Sequence, residues 1–127
     1  MKKIITILLL CLCGCANAQV RLISNISQNV NDATSYINFN SLQSKLKSIQ
    51  FTVTKVSGVL AGKVYLEGTV DGFAWLTIDS LPLTDTLMIT KLFTFTATQY
   101  NSYRARFVTT GIQVSNLTMA VLRRPDE

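Results

Sequence analysis

From Ile49 onward the chain alternates apolar and polar positions with a period of two. Ile49, Phe51 and Val53 interleave with Gln50, Thr52 and Thr54. That is the pattern of a β-strand with one buried and one solvated face, because successive side chains on an extended backbone point to opposite sides. Ser57-Gly58 and Ala61-Gly62 then bracket a turn. On the next segment Val64, Leu66 and Val70 are expected to face inward and Lys63, Tyr65, Glu67 and Thr69 outward, with Gly68 a bulge or a point of close approach. Asp71-Gly72 carries the turn chemistry of a hairpin, and Trp75 to Ile78 is its expected returning strand. Asp79 to Asp85 reads as a connecting loop around Pro82. Beyond it Leu87, Ile89, Phe93 and Phe95 share one parity, with Lys91 as an exception, and Thr90, Thr94 and Thr96 hold the other, as in one long or bent strand. Tyr103, Ala105 and Phe107 alternate with Arg104 and Arg106, Gly111 turns the chain, and Leu117, Met119 and Val121 form a last inward set before the charged end.

Patterning is weaker from Gln19 to Lys47, a stretch rich in Asn, Ser and Gln. Val20 and Leu22, then Tyr36, Ile37 and Phe39, mark two short strands, with Asn29 to Thr34 as the turn of a first hairpin and at most one helical turn at Leu42 to Leu46. Seven or eight short strands separated by turn residues, without helices, predict an all-β fold. Alternation rather than solid apolar runs favours two packed sheets, each wet on its outer face: an antiparallel β-sandwich, jelly-roll-like.

The first eighteen residues change the picture. Met1-Lys2-Lys3 is a basic start, Ile4 to Leu12 an apolar run broken only by Thr6, and Ala16-Asn17-Ala18 a small-residue cleavage pattern. A signal segment over 1–18 with cleavage after Ala18 is expected, leaving 19–127 as a single domain. Leu12-Cys13-Gly14-Cys15 resembles a bacterial lipobox, so acylation at Cys15 with tethering to a membrane is an open alternative, as is retention of the segment. Either export route places the domain in the periplasm, on the outer surface or outside the cell. All three cysteines (Cys11, Cys13, Cys15) lie here, so the domain must be held by its hydrophobic core rather than by disulfides. Without Lys2 and Lys3 the ten remaining Lys and Arg against seven Asp and Glu leave +3. That is a mild excess, and no nucleic-acid partner is expected.

The chain has no histidine, which removes the commonest general base and zinc ligand. The acids Asp32, Glu67, Asp71, Asp79, Asp85, Asp126 and Glu127 show no spacing that singles out a catalytic pair, and a hydrolase built on Glu67 and Asp79 is the weakest reading. No enzyme activity, catalytic residue, cofactor or metal is expected. For binding, Tyr65, Trp75, Tyr103, Arg104 and Arg106 stand out, since planar rings can stack on sugar rings and guanidinium groups can bind acids through paired hydrogen bonds. Each has a plainer alternative: core or rim packing for Trp75 and Tyr103, and an edge-strand guard for the two arginines. A threonine-rich exterior including Thr52, Thr69, Thr90 and Thr109 follows from β-propensity. Asp79-Ser80-Leu81 and Asp85-Thr86-Leu87, in one expected loop, resemble the Asp-Ser/Thr-aliphatic sites at which Bacteroidota attach glycans to exported proteins.

The run from Val56 to Trp75, with Val56-Ser57-Gly58, Ala61-Gly62-Lys63-Val64-Tyr65-Leu66-Glu67-Gly68-Thr69 and Asp71-Gly72 preceding Trp75, resembles a hairpin of small β-sandwich proteins encoded by bacteriophages and prophages of Bacteroidota. Tyr103 to Phe107 and a terminal apolar strand extend the resemblance over roughly residues 46–123. A weaker similarity links the same hairpin to discoidin-like carbohydrate-binding sandwiches. Thr69 stands where Ser is common, and an export signal is foreign to a virion part assembled in the cytoplasm. The resemblance implies a non-catalytic structural or interaction module, a virion or envelope-associated component with protein partners in an assembly. The alternative is an exported surface protein that binds glycans and meets the membrane only through Cys15 if that residue is acylated.

Overall fold

The computed structural model describes the backbone of residues 20–28, 34–40, 45–95 and 100–124, and the side chains of 34–39, 48–95 and 100–122. Eight strands run β1 (Val20–Gln28), β2 (Thr34–Asn40), β3 (Lys45–Gly58), β4 (Gly62–Thr69), β5 (Leu76–Leu83), β6 (Met88–Thr94), β7 (Ser102–Thr109) and β8 (Gln113–Arg124), with no helix among the described residues. They form two four-stranded antiparallel sheets, ordered β1-β8-β3-β6 and β2-β7-β4-β5. Consecutive strands sit in opposite sheets except β4 and β5, which pair as a hairpin. This is the jelly-roll winding of a β-sandwich.

The inward parity sets meet between the sheets. Ile49, Phe51 and Val53 of β3, Val64 and Leu66 of β4, Tyr103, Ala105 and Phe107 of β7, and Leu117, Met119 and Val121 of β8 are all buried, joined by Ile37, Phe39 and Phe93. Each large apolar side chain so removed from water contributes about 1.5–3 kcal/mol. Edge-on rings pack within and between the layers: Phe51 meets Phe93 of the neighbouring strand in its own sheet at 5.0 Å between ring centroids, and Phe95, just past β6, meets Tyr103 of the other sheet at 5.4 Å. The corner from β3 to β4 needs glycine at both ends. Gly58 and Gly62 have φ of +76° and +120°, and a Cβ on either would lie 2.2 and 2.1 Å from the carbonyl oxygens of Ile112 and Val108.

Several expectations are corrected. β1 and β2 are no hairpin: β1 pairs with β8 and β2 with β7, because alternation marks a strand without naming its partner. Of the turn expected there, 29–33 lie outside the described residues, and Thr34 already belongs to β2. The helical turn expected at Leu42 to Leu46 falls partly outside them too, while Lys45 and Leu46 open β3. Asp79 to Leu83 is strand, not loop. Pro82 is accommodated because β5 is an edge strand whose missing N–H is not needed by a neighbour, and Leu81 and Leu83 join the core. Asp79-Ser80-Leu81 is therefore in a strand, with Leu81 buried, whereas Asp85-Thr86-Leu87 stays in the exposed β5–β6 loop. Thr69 and Thr109 are buried, and Val70, past the end of β4, is 63% exposed. Leu87 likewise faces water, ahead of β6. Gly68 is a point of close approach, since a Cβ there would meet the Tyr100 ring at 2.6 Å. The bulge lies opposite, where Leu66 pairs with Asp79 and Glu67 with Thr77, leaving Ile78 unmatched.

Lys91, the exception in the β6 pattern, has a purpose. β5 and β6 are the neighbouring open edges of the two sheets, and Lys91 Nζ reaches across to Asp79 Oδ2 at 2.8 Å and the Ser80 carbonyl at 2.8 Å. One charged side chain thus links the two edges.

Candidate functional site

β7 alternates without a break: Tyr103, Ala105, Phe107 and Thr109 point into the core, and Ser102, Arg104, Arg106 and Val108 lie on the other face. Because β7 lies between β2 and β4, the two arginines occupy the middle of a sheet face, which excludes their role as edge guards. Register then sets their neighbours. Tyr36, Arg106 and Tyr65 form one cross-strand row, and Asn38, Arg104 and Glu67 the next.

Glu67 binds both cations. Arg104 Nε donates to its Oε2 at 2.6 Å and Arg106 Nε to its Oε1 at 2.7 Å. The guanidinium groups in turn lie against rings: Arg104 is 4.2 Å from the Trp75 centroid and 4.7 Å from that of Tyr36, and Arg106 is 4.1 Å from that of Tyr65. Six side chains thus make one network on the outer face of β2-β7-β4-β5. Glu67, expected as a solvated charge, is only 4% exposed because the arginines cover it. Burial alone would raise its pKa, but the hydrogen bonds and charges of Arg106 and Arg104 outweigh that and hold the carboxyl below its ordinary value.

Trp75 is carried in by the β4–β5 hairpin, whose loop is tied down locally. Asp71 Oδ1 accepts from Thr69 Oγ1 at 3.0 Å, Phe73 N at 2.8 Å and Ala74 N at 2.9 Å, while Thr69 Oγ1 accepts from Gly72 N at 2.9 Å. Asn101 adds a bond from Nδ2 to the Val70 carbonyl at 2.7 Å. The backbone donors of Ala74 and Phe73, with Thr69, keep the Asp71 carboxyl below the usual range.

Of the residues singled out in the sequence, Tyr65, Trp75, Arg104 and Arg106 come together, and Tyr103 does not. It is fully buried on the core side of β7, stacked at 5.8 Å with Phe39. Cys15 and Ala18 lie outside the described residues. Tyr36 and Glu67 were missed as site members. Tyr36 has the parity opposite to Ile37 and Phe39, which marks an outward ring; Glu67 needed the cross-strand register, which no local pattern carries.

At the end of the sandwich opposite the β4–β5 hairpin, three loops are tied together by hydrogen bonds. Val59 N donates to the Ile112 carbonyl at 3.2 Å, and Asp85 Oδ1 accepts from Lys55 Nζ and Leu60 N, both at 2.9 Å. Val56, Val59, Leu87, Met88 and Ile112 are exposed around them.

No protein-family profile matches the chain, and no curated protein sequence matches it. Solved structures do. The chain is similar to a structure of Bacillus endospore appendages, described as disulfide-linked pili, at 11% identity over 88% of this chain and 96% of that one, with a TM-score of 0.52. The Yersinia pseudotuberculosis-derived mitogen gives 13% identity, 85% and 91% coverage and a TM-score of 0.53. The C-terminal domain of a chitobiase from Bacteroides fragilis gives 13%, 76% and 68%, and 0.50. At these identities the likeness is one of fold: the chain is an all-β sandwich of two antiparallel sheets.

Proposed function

We propose that this chain is a non-catalytic interaction module that takes its ligand on the outer face of β2-β7-β4-β5. One observation carries the reading: a covered glutamate fixes two arginines, each stacked on rings that keep part of their surface in water. Ordering long side chains costs rotamer entropy and covering a carboxylate costs desolvation, and a merely solvated exterior requires neither. Carbohydrate is the ligand class this face favours. Tyr36, Tyr65 and Trp75 offer ring surface for stacking, and the guanidinium groups and Asn38 offer hydrogen bonds beside it. The matching setting is an exported surface protein, anchored through Cys15 or released after Ala18.

The described carboxyl groups lend glycosidic hydrolysis no support. An acid catalyst for glycosidic bonds must stay protonated near neutral pH. Glu67, Asp71, Asp79 and Asp85 are all held below the usual range, and Glu67 and Asp79 are each committed to cations. A glycan array tests the reading. Wild-type protein is expected to retain a subset of glycans, Trp75→Ala to weaken that binding by about tenfold, a ring-stacking contact of about 1.4 kcal/mol, and Thr52→Ala to leave it unchanged. An array on which the wild-type protein retains nothing would remove the reading.

A second reading, a component of a phage-related virion or envelope assembly, is supported by the Val56 to Trp75 hairpin. The exposed apolar residues of the loop end, Val59, Leu87, Met88 and Ile112, suit packing against another protein. Mass spectrometry of purified virions that lack the polypeptide would count against a virion role.

A further inference from the structure

We infer that the ligand of the β2-β7-β4-β5 face is an acidic glycan, whose carboxylate or sulfate is held by Arg104 and Arg106. The inference deepens the carbohydrate reading and rests on it.

The donor count comes first. Two guanidinium groups bring about ten N–H donors to one carboxylate with roughly four lone-pair sites, so most donors are left for another acceptor. Glu67 engages Nε of each arginine, an inner edge of the guanidinium. Trp75 and Tyr36 lie against the Arg104 group and Tyr65 against that of Arg106, so with these guanidinium faces taken by rings the Nη edges are what the groups have left to offer a ligand. The two arginine side chains remain 21% and 27% exposed, so a solute can reach them. Rigid, edge-on presentation is the geometry in which a guanidinium binds a carboxylate or sulfate through two parallel bonds.

The charge balance points the same way. One arginine would neutralise Glu67; two leave the cluster at +1, and Lys63, exposed on the outer parity of β4, adds to it. The other described acids near this sheet are otherwise engaged, Asp79 with Lys91 and Asp71 within its own loop. Glu67 bridges the two like charges and offsets one of them, and an anion at the outer edges of the guanidinium groups would offset the other. The rings at the same level argue for an anion borne on a sugar rather than a bare ion, since they supply stacking surface that phosphate or sulfate alone cannot use.

The test compares ligands that share a sugar backbone and differ in whether it carries acidic groups. Oligogalacturonates and their methyl esters share one backbone, as do dextran sulfate and dextran; calorimetry measures each against the full chain at low and high salt. The acidic form of at least one pair is expected to bind about tenfold or more tightly than its neutral twin, with the difference shrinking as salt rises. Which pair shows it separates carboxylate from sulfate recognition. Arg106→Gln is expected to abolish the preference, and Arg106→Lys, which keeps the charge and guards against misfolding, to retain part of it. Equal binding of acidic and neutral forms would overturn the acidic assignment and leave the carbohydrate reading standing. Binding of neither form of either pair, where an array shows other neutral glycans retained, also overturns it. An acidic preference that survives Arg106→Gln in folded protein, checked by its melting curve, would overturn the role of the arginines.

Discussion

On the outer face of β1-β8-β3-β6, Thr118, Thr52 and Thr90 form a cross-strand row where the other sheet carries Asn38, Arg104 and Glu67. The threonine row is joined by an Oγ1 to Oγ1 contact of 3.2 Å between Thr52 and Thr90, with Gln50 Nε2 donating to Thr52 Oγ1 at 3.3 Å. These are short neutral side chains suited to a pleated wet surface, each pair worth about 0.2–1 kcal/mol. The opposing face holds three charges and three rings in fixed contact. Both faces come from the same alternation, so the alternation explains the sandwich and not the difference. What separates them is a demand that stability alone does not make, which is why the arginine face, and not the threonine face, is the candidate for recognition.

The largest expected effect comes from breaking the charge network. Glu67→Ala leaves two arginines facing each other over an unfilled site and is expected to cost about 2–3 kcal/mol in urea unfolding. That is below the figure for a fully buried triad because both guanidinium groups keep some water. The pH profile sharpens the same point. With its carboxyl held below the ordinary 4.5, Glu67 stabilises the fold fully above that pH and loses its contribution as pH falls through the lowered value. Glu67→Gln is therefore expected to flatten part of the acid limb of a stability–pH curve, with Asp71, Asp79 and Asp85 contributing to what is left of it. Asp71→Ala removes the acceptor that shapes the hairpin loop and is expected to lower the urea midpoint by less than Glu67→Ala does. It should also shift the emission of Trp75, the chain's only tryptophan. The smallest effect is expected on the other face, where Thr52→Ala should change stability by no more than about 0.5 kcal/mol. A larger loss there than at Glu67 would erase the contrast.

The sandwich was legible in the sequence because burial on one face imposes a period of two, and Ile49 to Val53 and Tyr103 to Phe107 obey it strictly. Pairing was not legible. The jelly-roll order joins β1 to β8 and β2 to β7 across most of the chain, and local pattern carries no information over that distance. Pro82 misled because proline ends inner strands but not edge strands, a distinction that requires the sheet order. Within the site, outward Arg104, Arg106 and Tyr65 follow from parity, whereas Glu67 becomes a member only once β4 is set beside β7 in register. Trp75 depends on the loop bonds of Asp71 to reach Arg104.

Amide chemical-shift mapping during titration with whichever of oligogalacturonate and dextran sulfate binds tests directly which face takes the ligand. Saturable shifts are expected, confined to Tyr36, Tyr65, Glu67, Trp75, Arg104, Arg106 and their neighbours, with Thr52, Thr90 and Thr118 unmoved. Saturable shifts centred on the threonine row, with the arginine face silent, would contradict it.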